Sequence, residues 1–297
     1  MKYLFAIFII GVLVSCEADV SKTAQNSAYI QEEANGTLFI IGGGGRPDYL
    51  VDSLIRISGL DESGYMVVLP MSSSVPDTSA YYSAKQFKEQ GVADIHVFNI
   101  QDASVVTQQR LDSVRNANLI YITGGDQRQF MDIVRDTEVE EAIRTAFMQG
   151  SVVAGTSAGA AMMSEKMITG DEKKHPEYTG DFRTIEADNM IIKSGLGLLE
   201  NVVIDQHFIE RMRMNRLLTV VLEHPGITGV GIDESTAVVV SGNHARVVGE
   251  SQVIVVRNDM EEVSKENGLL RGQSLDLSVY LPGDGFELVK DEPANTL

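Results

Sequence analysis

The chain has 297 residues, 43% of them hydrophobic, which is enough to bury one substantial core. Its 24 basic and 42 acidic side chains leave a formal net charge of −18, which repels phosphate backbones and argues against nucleic acid as a partner. The only cysteine is Cys16, which excludes internal disulfides, cysteine zinc sites and a cysteine nucleophile within the folded part.

The N-terminus predicts a targeting segment. Lys2 precedes an apolar stretch, residues 4–14, that is too short to span a bilayer as a settled helix. Leu13-Val14-Ser15-Cys16 is similar to a bacterial lipobox, in which cleavage precedes a cysteine that receives a diacylglycerol. We therefore expect an exported, membrane-anchored protein, with an ordinary signal peptide as the alternative. The expected divisions are a signal peptide ending in the lipidated Cys16 (residues 1–16), a polar tether (17–35) and one folded domain (36–297).

Short apolar runs alternate with helix-period segments from Thr37 onward, which predicts a doubly wound α/β fold with a largely parallel sheet. The predicted strands are residues 37–41, 65–69, 95–98, 119–122 and 151–154. The predicted helices between them are residues 47–58, 79–90, 104–115 and 127–147. Further on we expect a polar excursion (166–189), a helix (208–223) and C-terminal β-hairpins on the sheet edge (230–256).

A strand-to-helix turn marks the candidate nucleophile. Gly155-Thr156-Ser157-Ala158-Gly159 directly follows a predicted strand and opens a helix-compatible stretch. Small residues around Ser157 permit the sharp turn that holds a serine Oγ clear of the backbone. The N–H of Ala158, at the helix N-terminus, suits one half of an oxyanion hole. The alternative is a glycine-rich turn with no catalytic role.

A nucleophilic serine needs a general base, and two of the five histidines remain as candidates, His207 and His244. His207 lies at a strand-to-helix junction, where rigid elements would hold it. Arg211, Arg213 and Arg216 follow on the same predicted helix and together can clamp carboxylates. Their alternative role is a solvated face that pairs with acidic neighbours.

Two further glycine-rich segments, Gly42-Gly43-Gly44-Gly45 and Thr123-Gly124-Gly125-Asp126-Gln127, also follow predicted strands. Because ligands gather at the carboxyl ends of parallel strands, these loops and the Ser157 turn can converge on one pocket. The four-glycine run lacks the Gly-Lys-Ser/Thr ending of a phosphate loop, so we reject a nucleotide site.

In this order along the chain, the motifs resemble those of the cyanophycinases, which belong to a serine peptidase family that also contains aspartyl dipeptidases. The matching segments are Gly42 to Gly45, Gly124-Gly125-Asp126-Gln127, Gly155-Thr156-Ser157-Ala158-Gly159, Asp205-Gln206-His207-Phe208 with the three arginines, and Gly231-Ile232-Asp233-Glu234. The resemblance implies a fold like that of class I glutamine amidotransferases, with serine in place of their cysteine nucleophile.

The resemblance also implies site roles. Ser157 would be the nucleophile, His207 the base and Glu234 the acid that orients it, although the adjacent Asp233 is chemically able to take its place. The oxyanion hole would be the N–H groups of Gly125 and Ala158.

The implied substrate is cyanophycin, a poly-aspartate chain that carries arginine on each β-carboxyl, or a related aspartyl peptide. Hydrolysis through an acyl-enzyme would release β-Asp-Arg dipeptides, with no metal and no organic cofactor. Gln127, Arg211, Arg213 and Arg216 would hold the aspartyl groups.

Two other functions stay open. An esterase of the α/β-hydrolase type would place Ser157, then Asp205 or Asp233, then His244 in chain order. A surface lipoprotein that binds peptides on an inactive hydrolase scaffold would need none of these groups to react. The expected partners are a peptide or polymer substrate and, through the anchor, a membrane. The oligomeric state is left open, with a homodimer as one option.

Overall fold

The computed structural model describes residues 34–177, 179–260 and 262–289. The predicted signal peptide, Cys16 and nearly all of the tether lie outside the described residues. The strands are β1 Thr37–Ile41, β2 Met66–Leu69, β3 Ile95–Val97, β4 Leu119–Ile122, β5 Val152–Thr156, β6 Lys166–Glu172, β7 Met190–Ser194, β8 Val202–Gln206, β9 Thr228–Ile232, β10 Thr236–Ser241, β11 His244–Gly249, β12 Val253–Arg257, β13 Ser264–Glu266, β14 Leu269–Arg271, β15 Asp276–Tyr280 and β16 Gly285–Glu287. The α-helices are α1 Asp48–Ile57, α2 Pro76–Glu89, α3 Gln108–Arg115, α4 Gln127–Val134, α5 Glu138–Met148, α6 Ala158–Ala161 and α7 Met214–Glu223.

The larger sheet has the order β16-β11-β10-β1-β5-β4-β2-β3. Five neighbouring strands of this sheet, β1, β5, β4, β2 and β3, run parallel. Side chains alternate between its two faces, as along β1, where Leu38 and Ile40 enter one core and Phe39 and Ile41 the other. Because helices cover both faces, the central parallel strands β2 and β4 are buried and apolar throughout. The predicted mixed α/β fold with a central sheet is confirmed.

A second sheet, β15-β12-β9-β8, packs against one face of the first. Its strands β8 and β9 are parallel, whereas β12 is antiparallel to both β9 and β15. The predicted hairpins are therefore only partly correct, since β10 and β11 extend the larger sheet but β9 and β12 belong to the second. The predicted polar excursion begins with a strand, β6, in which Met167 and Ile168 are buried and which pairs with β7 directly after the excursion.

Three helix predictions are wrong in extent. The helix predicted at residues 104–115 begins only at Gln108, because Val106 and Thr107 are extended after a short 3-10 turn, Ala103–Val105. The segment predicted as one helix, residues 127–147, is split into α4 and α5 by Asp136, whose φ of 57° cannot continue a helix. Thr137 then caps α5 by accepting a hydrogen bond from the N–H of Val139. The helix predicted from residue 208 starts only at Met214, because Met212 has a φ of 49°. Among the described residues, no helix combines the length and the apolar character needed to cross a membrane.

Candidate active site

Ser157 lies between β5 and α6 in a strained backbone conformation, with φ 54° and ψ −110°. Its N–H donates to the carbonyl of Ile41 at 3.0 Å, which ties the turn to β1. A Cβ on Gly155 would overlap the carbonyl group of Gly159, so the close crossing of the turn requires glycine at position 155. The turn is the sharp strand-to-helix connection that the sequence predicts.

His207 follows β8 and faces this turn. Its Nε2 lies 2.8 Å from Ser157 Oγ, and its Nδ1 hydrogen-bonds to Glu234 Oε1. The His207 side chain is buried, and its backbone, with φ 49°, is held by a 2.7 Å hydrogen bond from its N–H to the carbonyl of Gly42. Hydroxyl, imidazole and carboxylate thus form one continuous hydrogen-bonded chain.

The two adjacent acids after β9 have different partners. Asp233 Oδ1 accepts hydrogen bonds from the N–H groups of Ile209 and Glu210, and its Oδ2 accepts one from Ser251 Oγ at 2.6 Å. Burial raises the pKa of Asp233, but these hydrogen bonds outweigh it and hold the pKa below its ordinary value. Asp233 therefore fixes the loop after His207, and Glu234 is the acid that meets the imidazole.

The four-glycine run packs against the side chains of His207 and Glu234, a role that the sequence did not indicate. A Cβ on Gly43 would overlap the His207 ring, and one on Gly44 would lie 2.6 Å from Glu234 Oε2. Both glycines have positive φ, 110° and 68°. Gly43 and Gly44 must be glycine because their backbone touches the imidazole and the carboxylate.

The second glycine loop lies beside the serine, since a Cβ on Gly124 would be 3.2 Å from Ser157 Cβ. Gly125, with φ 141°, packs on the carbonyl of Ser72. Gln127 is buried, and its Nε2 donates to the carbonyls of Ile168 and Thr169 at 2.8 and 3.1 Å. These internal hydrogen bonds hold the loop against β6, and the substrate contact of Gln127 stays a prediction.

The three arginines separate into two classes. Arg216 is 3% exposed and pairs with the Asp205 carboxylate through both Nε and Nη2. Arg213 is 4% exposed, and its Nη1 donates a hydrogen bond to the carbonyl of Gln206 at 2.7 Å. Arg211 alone of the three is exposed. Arg213 and Arg216 are held by protein groups, because the helix begins late and turns both guanidiniums toward Asp205, and the three-arginine clamp stays a prediction.

The groups of the esterase alternative do not meet. Asp205 is fully buried in its pair with Arg216, and His244 is exposed on β11, with Nδ1 3.2 Å from Glu287 Oε1. Ser157 Oγ contacts His207 instead. Among the described residues, moreover, no three His, Cys, Asp or Glu side chains form a group that could hold a metal ion.

The environment of His207 suits a general base. Burial lowers the pKa of His207, and the charges of Arg211 and Arg213 lower it further, whereas the hydrogen bond and charge of Glu234 raise it. The result is a pKa below the ordinary histidine value, so the imidazole is neutral and able to accept a proton near pH 7.

Ser157 has one further neighbour, Gln206, to which the sequence analysis gave no role. The Oε1 atom of Gln206 lies 3.4 Å from Ser157 Oγ, and the residue is 6% exposed. The signal for it was its position next to His207 at the end of a buried strand.

The mixed α/β fold and the hydrogen-bonded Ser157, His207 and Glu234 side chains define a hydrolytic enzyme with a serine nucleophile. Residues 38–248 match Peptidase family S51. The chain is 32% identical over 219 residues to a protein named cyanophycinase from Nostoc sp., covering 73% of this chain and 70% of that one. It is 31% identical over 229 residues to a cyanophycinase from Thermosynechococcus vestitus, covering 76% and 67%. The chain belongs to peptidase family S51 and is a serine-type peptidase.

Solved structures agree on the fold. A peptidase from an acI-B1 actinobacterium superposes with a TM-score of 0.61 at 21% identity, covering 87% of this chain and 99% of that one. A putative peptidase E protein from Listeria monocytogenes gives a TM-score of 0.50 at 17% identity, covering 73% and 99%.

Proposed function

We propose that this protein is an exopeptidase that hydrolyses cyanophycin, or a related aspartyl peptide, to β-Asp-Arg dipeptides through an acyl-enzyme. The observation that carries the proposal is the Ser157–His207–Glu234 chain of hydrogen bonds in a family S51 peptidase. The similarity to proteins named cyanophycinase supports the substrate class.

In the acylation step, His207 Nε2 removes the proton of Ser157 Oγ as the oxygen attacks the amide carbonyl. Glu234 accepts the Nδ1–H and stabilises the imidazolium that forms. His207 then gives its proton to the leaving amine, which departs and leaves the acyl group on Ser157.

The oxyanion that develops needs donors beside Ser157. The N–H groups of Ala158, at the start of α6, and of Gly125, in the adjacent glycine loop, are our candidates. Loss of one such donor costs about 10²- to 10³-fold in kcat in related chemistry. The hydrogen bonds of Gln127 to β6 support the site indirectly, because they fix the loop that carries Gly125.

Arg211 is the proposed contact for a substrate carboxylate. It is exposed, and its N–H donates to the carbonyl of His207 at 3.0 Å, which places it next to the base. A guanidinium binds a carboxylate through two parallel hydrogen bonds, the geometry that an aspartyl group requires. The net charge of −18 suits a substrate rich in arginine.

The proposed architecture is a serine version of the class I glutamine amidotransferase fold, supported by the nucleophile turn that follows a central parallel strand. We also propose that the enzyme is exported and anchored through a lipid on Cys16. Mass spectrometry of the mature N-terminus tests the anchor. The proposal predicts a diacylated Cys16 and loss of lipid in Cys16→Ala, and an unmodified N-terminus elsewhere would contradict it.

The substrate proposal is tested with one panel. Purified full-length protein is incubated with insoluble cyanophycin, a soluble β-Asp-Arg oligomer, isoaspartyl and α-aspartyl dipeptides, and a short-chain ester, with Ser157→Ala as the control. We expect β-Asp-Arg from the first two substrates and none from the control. Turnover of only the dipeptides or only the ester would reject the proposed substrate.

A further inference from the structure

The proton of Ser157 has two acceptors within reach. His207 Nε2 lies 2.8 Å from Oγ, and Gln206 Oε1 lies 3.4 Å from the same atom. The serine hydroxyl carries one proton and can satisfy one acceptor at a time. The shorter distance favours His207, so the catalytic hydrogen bond leaves the Gln206 oxygen with a weaker contact.

The backbone of Gln206 is rigidly held. Its N–H donates to Asp205 Oδ1 at 2.7 Å, and its carbonyl accepts from Arg213 Nη1 at 2.7 Å. Arg216 in turn pairs with both oxygens of the Asp205 carboxylate. All of these side chains are buried, so the peptide that carries Gln206 and leads into His207 has little freedom to move.

Acylation changes what these two acceptors contact. Once Ser157 Oγ is bonded to the acyl carbon, it has no proton to donate, and both His207 Nε2 and Gln206 Oε1 are available as acceptors. Because each lies within hydrogen-bond reach of the same oxygen, one water molecule beside the ester can bridge both. Water has two protons, and this pair of acceptors matches them.

We propose that Gln206 is a further catalytic residue, which orients the water that hydrolyses the acyl-enzyme. This inference rests on the acyl-enzyme of the proposed function. The water oxygen bonds to the acyl carbon while one proton passes to His207 Nε2 and the other stays hydrogen-bonded to Gln206 Oε1. The tetrahedral intermediate then collapses, its bond to Ser157 Oγ breaks, and Oγ takes the proton back from His207. The products are a free carboxylic acid and the regenerated serine.

A residue that orients the hydrolytic water acts in deacylation and not in acylation, so its loss should slow only the deacylation step. Gln206→Met keeps the length of the side chain but removes the acceptor. We expect kcat on a soluble β-Asp-Arg oligomer to fall about 10- to 100-fold, the effect of one lost transition-state hydrogen bond. KM should fall in proportion, because acyl-enzyme accumulates, and kcat/KM should stay near the wild-type value. Rapid-quench mass spectrometry should find most of the variant carrying the acyl group on Ser157.

Two other variants make the test decisive. Gln206→Glu keeps an acceptor oxygen, so it should deacylate faster than Gln206→Met at alkaline pH, where His207 is neutral despite the added carboxylate. Gln149→Met is the control, because Gln149 follows α5 and precedes the start of β5, whereas Ser157 follows the other end of that strand, and its kinetics should not change.

Different failures have different meanings. In one outcome, kcat and kcat/KM of Gln206→Met fall together and no acyl group accumulates on Ser157. In another, kcat is unchanged and the acyl-enzyme forms as in wild type. Either outcome would show that Gln206 has no role in deacylation, and only this inference would be overturned. If no enzyme, wild type or variant, forms an adduct on Ser157 while substrate is still cleaved, the acyl-enzyme itself is wrong and this inference fails with it.

Discussion

The two sheets make unequal contributions to the site. The larger sheet has a parallel centre covered by helices, and it supplies Ser157 at the end of β5. The smaller sheet is mixed, and it supplies His207 directly after β8 and Glu234 shortly after β9. The hydrogen-bonded chain therefore crosses from one sheet to the other. The catalytic geometry depends on how the two sheets meet, and neither sheet holds the site alone.

The segment after β1 joins the two sheets. The carbonyl of Ile41 accepts from the N–H of Ser157, the carbonyl of Gly42 from the N–H of His207, and the carbonyl of Gly43 from the N–H of Ser235. Three successive carbonyls thus fix the nucleophile, the base and the residue after the acid. Substitutions at this junction should lower activity, whereas substitutions within one sheet should mainly lower stability.

The largest expected effect comes from removing a reacting group from either sheet. Ser157→Ala and His207→Ala should each lower kcat/KM by about four to six orders of magnitude, and the double variant should add little, because the members of a triad act as a unit. Steady-state kinetics on a soluble β-Asp-Arg oligomer measures this. His244→Ala is the control and should keep its activity. Additive losses in the double variant would show that the two sheets do not share one reaction.

The buried ion pair in the smaller sheet should matter for stability. Arg216→Met removes the paired guanidinium of the buried Asp205 carboxylate and leaves Arg213 Nη1, 4.0 Å from Oδ1, as the remaining cation, and we expect a loss of about 3 kcal/mol in the free energy of unfolding. Arg211→Met, at the exposed position, should change it by less than about 0.5 kcal/mol. Urea unfolding followed by circular dichroism compares the two. Equal effects would contradict the division of the arginines into two classes.

A methyl group at the junction should displace the base. Gly43→Ala forces a Cβ into the His207 ring at a positive φ, and a shift of about 1 Å in a catalytic group costs on the order of 10²-fold in kcat. Gly91→Ala is the matched control, since Gly91 has a similar positive φ, 98°, but nothing within 4 Å of a new Cβ. Both variants should lose stability from backbone strain, and only Gly43→Ala should lose activity. Equal activity in the two variants would show that the Gly43 contact does not set the position of His207.

The smallest expected effect is on pH dependence. The charge of Arg211 lowers the pKa of His207, so Arg211→Gln should raise that pKa. Since the base must be neutral, the acidic limb of kcat/KM should move to higher pH, with activity lost first on the acid side. Arg211→Lys should keep the limb in place but raise KM, because an ammonium lacks the planar fork. About 1 M salt, with a Debye length near 3 Å, should shrink the difference between wild type and Arg211→Gln. An unmoved limb would exclude the charge effect.

Sequence and structure agree best where the pattern is local. The parallel strands could be predicted because burial on both faces makes them continuously apolar, as in Met66–Leu69. The second sheet could not, because β12 pairs with β9 and β15 rather than with its neighbour β11, and hairpin patterns describe neighbours.

The same distinction applies to the site. The sequence singled out Ser157, His207 and Glu234 by motif and resemblance, and the structure brings their side chains into contact. The sequence analysis treated Arg211, Arg213 and Arg216 alike. Spacing on a helix shows which residues lie on the same face, but it does not show what packs against that face. The role of Gly43 was hidden for a related reason: it depends on a ring that lies 164 positions further along the chain.

The most direct measurement is the labelling of the purified full-length protein by a fluorophosphonate, which reports an activated serine without needing a peptide substrate. Peptide mass spectrometry identifies the modified residue, and the rate is compared among wild type, His207→Ala and His244→Ala. We predict a single adduct on Ser157, at the same rate in wild type and His244→Ala and at least about 10²-fold slower in His207→Ala, as expected when the general base is lost. Labelling of another serine, or labelling of Ser157 that is insensitive to His207, would contradict a nucleophile activated across the two sheets.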